Sequence, residues 1–489
     1  MPLRASITHP AMARSFAAST AIKELPTDEA DDVLFASHHG LRTITLNRPK
    51  KLNSLNGSMA RKIVPRLQEW AKSQLANVVV IKGEGRAFCA GGDVAALALD
   101  NQRGPAGQQA SKDYFALEYQ LDHLIATYTK PYVAFIDGIT MGGGVGLSLH
   151  APFRIATENT VFAMPETTIG FFPDVGGSFF LPRMDGELGL YLALTSTQLK
   201  GVDVFWAGVA THYLHSSSLP DLEARLAELQ FKDYDPLPHR LRIINDTIEE
   251  FATGLPADRG HPSDSIIGGD HRVAIDYAFQ PLNTLPAILE TLQGLAENAG
   301  GTAPPAVVAW AAATRATILQ RSPTSVLVTL RQLREGGKWN IAQTFRTEHL
   351  LASHFMEHAD FVSGVSALLI NKPKTTPVWH PSTLAAVTDA QVDEFFAGEA
   401  TLELLPPSSS SSDAGERQAS YVDYPHAWVG LPRERDVLSL VQRANMTSGE
   451  QVVAHFVERT QGKQGVREKV EEILRRRTVE EEGALSVRM

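Results

Sequence analysis

An α/β domain followed by a helical region is the fold class this sequence predicts, on three observations. From about residue 31, short β-type apolar runs alternate with stretches of helical spacing. Glycine-rich turns follow the apolar runs, and over residues 196–394 helical periodicity takes over.

Taken in order, residues 41–46 alternate as a short strand, 59–75 carry helical spacing, and 77–82 form a Val/Ile run of the buried-strand type. The theme recurs with an amphipathic stretch at 114–128, an apolar run at 132–136 and a glycine-rich turn. Helices are predicted at 222–229, 285–295, 307–320, 323–334 and 341–357, with loops at 264–269 and 297–305 where Gly, Pro, Asn and Asp collect. A Pro/Ser tract at 406–412 is too polar to pack and marks a linker over 400–415. Beyond it, residues 416–489 read as an appendage with Tyr421, Tyr424 and Trp428 and a charged helical stretch over 465–482. Its Arg475-Arg476-Arg477 triplet reads as a solvated helix face flanked by Glu471, Glu472 and Glu480 to Glu482, the sharper alternative being an interaction helix.

Residues 1–23 contain Arg4, Arg14 and Lys23, with no acidic residue before Glu24. That is the composition of a mitochondrial transit peptide, against the alternative of a tail that merely lacks acids. The final Val487-Arg488-Met489 departs from the Ser-Lys-Leu peroxisomal pattern at each position.

At 489 residues, and roughly 150 per domain, the chain has room for about two to four folding units. Its 45 Lys+Arg against 55 Asp+Glu give a net charge of −10, which disfavours non-specific binding to nucleic acid or anionic membrane. No apolar run is long enough to span a bilayer. The single cysteine, Cys89, excludes an internal disulfide and Cys-rich zinc sites. No His or Asn stands at a spacing that would make Cys89 a nucleophile, and the His354/His358 pair lacks a third ligand, so no metal is expected.

Three glycine-rich turns stand after strand-like runs, at 88–93, 138–144 and 170–177. Glycine lets backbone N–H groups approach a ligand closely. Each turn alone is more often structural than functional. Two of them feeding successive helices could nevertheless place two N–H groups around one carbonyl oxygen, which is what acyl chemistry requires of an oxyanion hole.

Leu46-Asn47-Arg48-Pro49-Lys50, Phe88-Cys89-Ala90-Gly91-Gly92-Asp93 and Gly142-Gly143-Gly144 together resemble the enoyl-CoA hydratase/isomerase (crotonase) superfamily. Within it, residues 138–147, 162–167 and 172–177 are similar to the 3-hydroxyisobutyryl-CoA hydrolases, and the likeness covers roughly residues 31–385. The resemblance implies a spiral of ββα repeats over 31–225 that binds CoA, with a C-terminal helical region over 226–395. It puts the two oxyanion N–H groups on Gly92 and Gly143, and Lys50, Leu52, Ala90, Gly92, Asp93 and Val94 along the CoA channel. Glu166 becomes the carboxylate facing the thioester, with Glu118 and Asp174 as acidic substrate-binding positions; Asp174 would orient Glu166 or hold the substrate hydroxyl. Hydratases of the superfamily hold water with two glutamates, and one of those positions here is Gly146.

The implied activity is hydrolysis of 3-hydroxyisobutyryl-CoA to free acid and CoA in valine degradation, in the mitochondrial matrix, with no cofactor beyond the CoA of the substrate. General-base attack by water and attack by the carboxylate itself through an anhydride both remain open. Two rival readings stand beside it: a hydratase or isomerase on the same scaffold, and a structural subunit of the mitochondrial small ribosomal subunit docked through residues 416–489. The further partner expectations are a homo-oligomer and no direct nucleic-acid contact.

Overall fold

The computed structural model describes residues 22–232, 235–298, 300–406, 420–443, 448–481 and 484–488. The transit-peptide expectation falls almost wholly outside them, as does most of the Pro/Ser linker.

Strands β1 (Val33–His38), β2 (Leu41–Leu46), β3 (Val78–Gly83), β5 (Tyr132–Phe135), β7 (Phe153–Ala156) and β10 (His212–Tyr213) form one sheet in the order β1-β2-β3-β5-β7-β10. It is parallel throughout except for the β1–β2 hairpin. A second sheet has the order β4-β6-β8-β9, from Ala87–Cys89, Ile139–Met141, Val161–Ala163 and Leu199–Lys200. From β3 to β8 successive strands alternate between the sheets, and helices separate the pairs: α1 (Gly57–Lys72) precedes β3, α2 (Val94–Asn101) and α3 (Pro105–Ala126) follow β4, and α4 (Gly143–Leu149) follows β6. The fold is thus the expected α/β spiral of ββα repeats.

Local chemistry explains the elements. The Asn56 side chain accepts from Met59 N–H to start α1, and Met59, Ile63, Val64, Leu67 and Trp70 recur at helical spacing on its buried face. Val78, Val79, Val80 and Ile81 of β3 are all buried, as an interior parallel strand covered on both faces demands. After α5 (Gly177–Phe180) the chain runs through the helical region: α6 (Leu188–Thr195), α7 (Val202–Trp206), α8 (Leu219–Ala227), α9 (Leu237–Glu249), α10 (Gly269–Ala278), α11 (Leu285–Ala296) and α12 (Pro305–Gln320). Helices α13 (Pro323–Gly336), α14 (Ile341–Glu357), α15 (Ala359–Val365) and α16 (Asp389–Phe396) complete it. A reciprocal capping box between Asn340 and Gln343 opens α14.

The C-terminal segment corrects three expectations. The helix expected over 465–482 stops at Arg477: after α17 (Glu434–Arg443) and α18 (Gly449–Arg459), α19 spans Val466–Arg477 and gives way to a hairpin of β11 (Thr478–Glu481) and β12 (Ala484–Val487). The arginine triplet is only partly a solvated face: Arg475 is exposed and the Arg477 side chain is 41% exposed, but the Arg476 side chain is buried. The Arg476 side chain is only 6% exposed and is ringed by Glu434 (2.6 Å), Glu472 (3.0 Å) and Asp276 (3.2 Å). Nor are the described residues of the segment detached from the rest of the fold. Val437, Val452, Phe456, Val466, Val470 and Ile473 join the main hydrophobic core, while Lys463 pairs with Glu249 of α9 and Lys469 with Asp185. Tyr421 accepts from Ile341 N–H through its carbonyl and donates its hydroxyl to Ala126 O.

Candidate active site

Two glycine turns meet because the sheets bring their strand ends together. After β4, Leu55 N–H donates to Gly91 O and Asp93 N–H to Leu55 O, each at 2.8 Å. In such a parallel bridge the N–H of the intervening residue, Gly92, faces the other way. After β6 the chain turns at Gly142, whose φ of 45° and ψ of −120° suit only glycine. Gly143 is the first residue of α4, where a backbone N–H has no acceptor within the helix. A Cβ at Gly143 would lie 2.5 Å from Glu118 Oε1 and 3.3 Å from Gly92 N, and one at Gly142 would lie 3.3 Å from Glu166 Oε1. Gly92, Gly143, Glu118 and Glu166 therefore converge on one small volume that no side chain at 142 or 143 could share.

Glu118, Glu166 and Asp174 are 2%, 4% and 4% exposed, so their carboxyls are removed from water. Burial, followed by the proximity of Asp174, drives the Glu118 and Glu166 carboxyls well above the usual carboxylate range, and burial pushes Asp174 up to about 7. Three carboxyls so close in low dielectric cannot all ionise, so the cluster keeps protons near neutral pH. Tyr119 OH donates to Asp174 Oδ2 at 2.7 Å and favours its ionised form. Glu166 Oε2 is buried with no hydrogen-bond partner, available to a ligand.

The loop bearing Asp174 is clamped from elements far apart in sequence. Gln332 Nε2 of α13 donates to Pro173 O at 2.6 Å, and Glu348 of α14 accepts from Gly176 N–H (2.7 Å), Ser178 N–H (2.9 Å) and Ser178 Oγ (2.6 Å). His150, directly after α4, reaches Val175 O through Nε2 at 2.9 Å. The helical region thus serves the α/β site mechanically.

Gly146 has its own reason. A Cβ there would meet Asp122 Oδ1 and Cγ at 2.7 Å, because Asp122, one turn beyond Glu118 on α3, fills the space where a residue-146 side chain would begin. Asp122 is fully buried, neither of its oxygens has a hydrogen-bond partner, and burial with Glu118 beside it holds its carboxyl well above the ordinary range.

Of the expected CoA-channel residues, Lys50 is exposed, and Leu52 O accepts from Ala90 N–H at 3.0 Å, joining the two stretches. Asp93 is tied into an ion-pair network with Lys51 (3.1 Å) and the buried Arg48 (3.2 Å), and Val94 opens α2 beside it. Cys89 is fully buried and its thiol is pushed up to about 12 by that burial, which suits packing and not nucleophilic attack. His354 and His358 serve backbone contacts: His354 Nε2 lies 3.3 Å from Ala397 O, and His358 Nδ1 accepts from Asp360 N–H.

With the geometry in view, comparison with known proteins is direct. A family model described as "Enoyl-CoA hydratase/isomerase" matches residues 41–396. The chain belongs to that family. It is 53% identical over 99% of its length to "Small ribosomal subunit protein mS47" of Neurospora crassa, covering 93% of that protein. It is 43% identical over 76% of its length to the mitochondrial 3-hydroxyisobutyryl-CoA hydrolase of Gallus gallus, covering 90% of it. Among solved structures, a carnitinyl-CoA dehydratase from Mycobacterium thermoresistibile superposes with a TM-score of 0.64 at 33% identity, over 76% of this chain and 99% of that one.

Sequence reasoning reached the glycines and Glu118, Glu166 and Asp174, which the fold brings together. It missed Asp122, Tyr119, His150, Gln332 and Glu348. The one signal that pointed to any of them was Gly146 itself: a glycine where the resemblance to hydratases leads one to expect a glutamate implies that another group fills the space.

Proposed function

We propose that the chain is a mitochondrial matrix acyl-CoA thioester hydrolase acting on 3-hydroxyisobutyryl-CoA, in the valine-degradation role that the name of its hydrolase relatives suggests. The observation that carries the reading is the convergence of Gly92, Gly143 and Glu166 beside one another in a buried site, with Gly146 leaving the hydratase pair incomplete. In this reading the thioester oxygen accepts from Gly92 and Gly143 N–H, which stabilise the charge that builds as the carbon becomes tetrahedral; one such donor is worth about 3 kcal/mol in the barrier. Ionised Glu166 either removes a proton from the attacking water or itself attacks the carbonyl carbon. In both routes the C–S bond breaks and the electron pair leaves with the CoA thiolate. Because burial raises the Glu166 carboxyl well above the usual carboxylate range, its conjugate base is a stronger proton acceptor than an exposed glutamate.

The test is free-thiol release from a panel of short acyl-CoAs beside hydration of crotonyl-CoA. Release from 3-hydroxyisobutyryl-CoA with negligible hydration supports the hydrolase; hydration at a comparable rate overturns it. Single-turnover hydrolysis in ¹⁸O water separates the routes, since label enters Glu166 only through an anhydride.

A second reading, association with the mitochondrial small ribosomal subunit, is favoured by one observation: the alignment with the Neurospora mS47 protein runs through the C-terminal segment, whereas the family model ends at residue 396. That segment and α9 enclose a cavity of about 790 Å³ into which Arg242, Arg443 and Arg459 project, none of them in an ion pair among the described residues. Co-sedimentation of the full chain with ribosomal particles, abolished by reversing those three charges, would support this reading; absence of co-sedimentation would remove it.

A further inference from the structure

Tyr424 lies past residue 396, where the family match ends, yet it reaches the loop that carries Asp174. Its hydroxyl is 2.9 Å from His150 Nδ1, and the other ring nitrogen of His150, Nε2, is 2.9 Å from Val175 O. A carbonyl oxygen can only accept, so Nε2 carries the proton. Full burial holds the His150 imidazole neutral, down at about 4, so the proton on Nε2 leaves Nδ1 as an acceptor. The Tyr424 hydroxyl must then donate to Nδ1. A hydroxyl from the C-terminal segment thereby anchors the ring of a histidine in the α/β domain whose tautomer the Val175 carbonyl fixes.

The bond that tautomer makes falls on a strained residue. Val175 sits at φ +53°, a left-handed conformation that costs a β-branched residue on the order of 1–3 kcal/mol and persists only when its surroundings enforce it. Its neighbour Gly176, at φ +83°, packs so tightly under the His150 ring that a Cβ there would collide with Nε2. Asp174 is the residue immediately before. Its carboxylate accepts from Tyr119, the Pro173 carbonyl before it accepts from Gln332, and the Val175–Gly176 peptide after it is held at both ends, its oxygen by His150 and its N–H by Glu348. Loosening the His150 ring would leave that peptide anchored at its N–H alone. The Tyr424 ring is itself seated, edge-on to Phe179 at 4.9 Å between centroids, so its hydroxyl is delivered from a fixed position.

We propose that Tyr424 is a positioning residue for the active site: through His150 it holds the strained Val175 peptide, and so places Asp174 against Glu166 and Glu118. The catalytic part of this statement rests on the hydrolase reading; the structural part does not. The experiment uses the full chain and Tyr424→Phe, which keeps the seated ring and removes only the hydroxyl. With ¹⁵N-labelled histidine, His150 should keep the Nε2–H tautomer in both proteins, while in Tyr424→Phe its Nδ1 resonance moves downfield as that nitrogen loses its donor and its Nε2–H proton exchanges with water faster as the ring loosens. Turnover of 3-hydroxyisobutyryl-CoA should fall about tenfold in kcat, with little change in the binding of CoA itself and a closely similar melting temperature, because sub-ångström misplacement of a working group is felt in chemistry before stability. A Tyr424→Phe protein with unchanged Nδ1 shift and Nε2–H exchange overturns the proposal, and so does a loosened ring with unchanged kcat. If the wild-type chain hydrolyses no thioester, the hydrolase reading fails, and the ¹⁵N shift and exchange measurements still decide whether Tyr424 anchors His150.

Discussion

Replacing Arg476 by methionine should release the C-terminal segment. The guanidinium donates from Nη2 to Glu434, from Nε to Glu472 and from Nη1 to Asp276, at 2.6, 3.0 and 3.2 Å, and it and the two glutamates are no more than 6% exposed. Removing one member of a buried ion pair costs about 3–5 kcal/mol, mostly by stranding the partner charge. Here the stranding is incomplete, since Glu434 keeps Arg477 at 2.9 Å and Asp276 keeps Arg272 at 3.1 Å, which argues for the lower end, about 3 kcal/mol. At about 1.4 kcal/mol per tenfold, the opening equilibrium of this segment should rise about 150-fold. Hydrogen exchange measures it: amides of α17 and α19 should exchange faster by about that factor, while β3 and β5 in the central sheet keep their protection. Exchange in α19 unchanged from wild type would refute the argument and restore the solvated-face reading of the triplet.

Glu166→Gln should lower kcat for thioester hydrolysis at least about 10²-fold while the protein stays folded and binds CoA, and near-wild-type turnover would exclude Glu166 from the chemistry. Gly146→Glu should be poorly soluble or melt several degrees lower, because Asp122 already occupies the first position of any side chain there, at a cost of at least about 1–3 kcal/mol; Asp122→Ala in the same chain should recover part of the loss, and a fully stable single variant would disprove the overlap. For Asp174, burial raises the folded-state carboxyl from an ordinary 3.8 to about 7. Between those values the folded chain holds a proton the unfolded chain has lost, so stability falls as pH rises through the window. The urea midpoint of wild type minus that of Asp174→Asn should therefore shrink from about pH 4 to pH 7 and then level off; a difference that grows with pH contradicts the buried placement.

Much of the fold could be read because its signals are local. Strand β2 was legible from alternation alone, β3 from its unbroken Val/Ile run, and α12 to α14 from helical spacing, since each pattern reports a face buried against a neighbour. The glycine turns were legible because only glycine permits the close approach of residues 142 and 143 to two carboxylates and to the backbone of the turn at 91 and 92. Asp122, His150 and Glu348 were not, because a lone polar residue on an apolar face looks the same whether or not it serves a site, and their partners are remote: Glu348 meets Gly176 across 172 positions. The C-terminal segment was misjudged for the same reason. Its composition is that of a solvated helix, and what makes Arg476 structural is Asp276, 200 residues upstream.

The strap from Tyr424 to the Asp174 loop also has a consequence for how the molecule is made. A chain is synthesised from its N-terminus, and early regions begin to fold as they emerge. The ββα spiral and its glycine turns are complete long before Tyr421, Tyr424 and the Val437-to-Ile473 portion of the core exist. Until those last residues arrive, His150 has no hydroxyl on Nδ1, and the apolar surfaces of Phe179 and Phe205 lack the cover that Tyr424 and Gly465 later give them. Assembly of the site is thus timed to the end of synthesis, and a chain truncated near its C-terminus would carry every motif of its family with the Asp174 loop still unfastened.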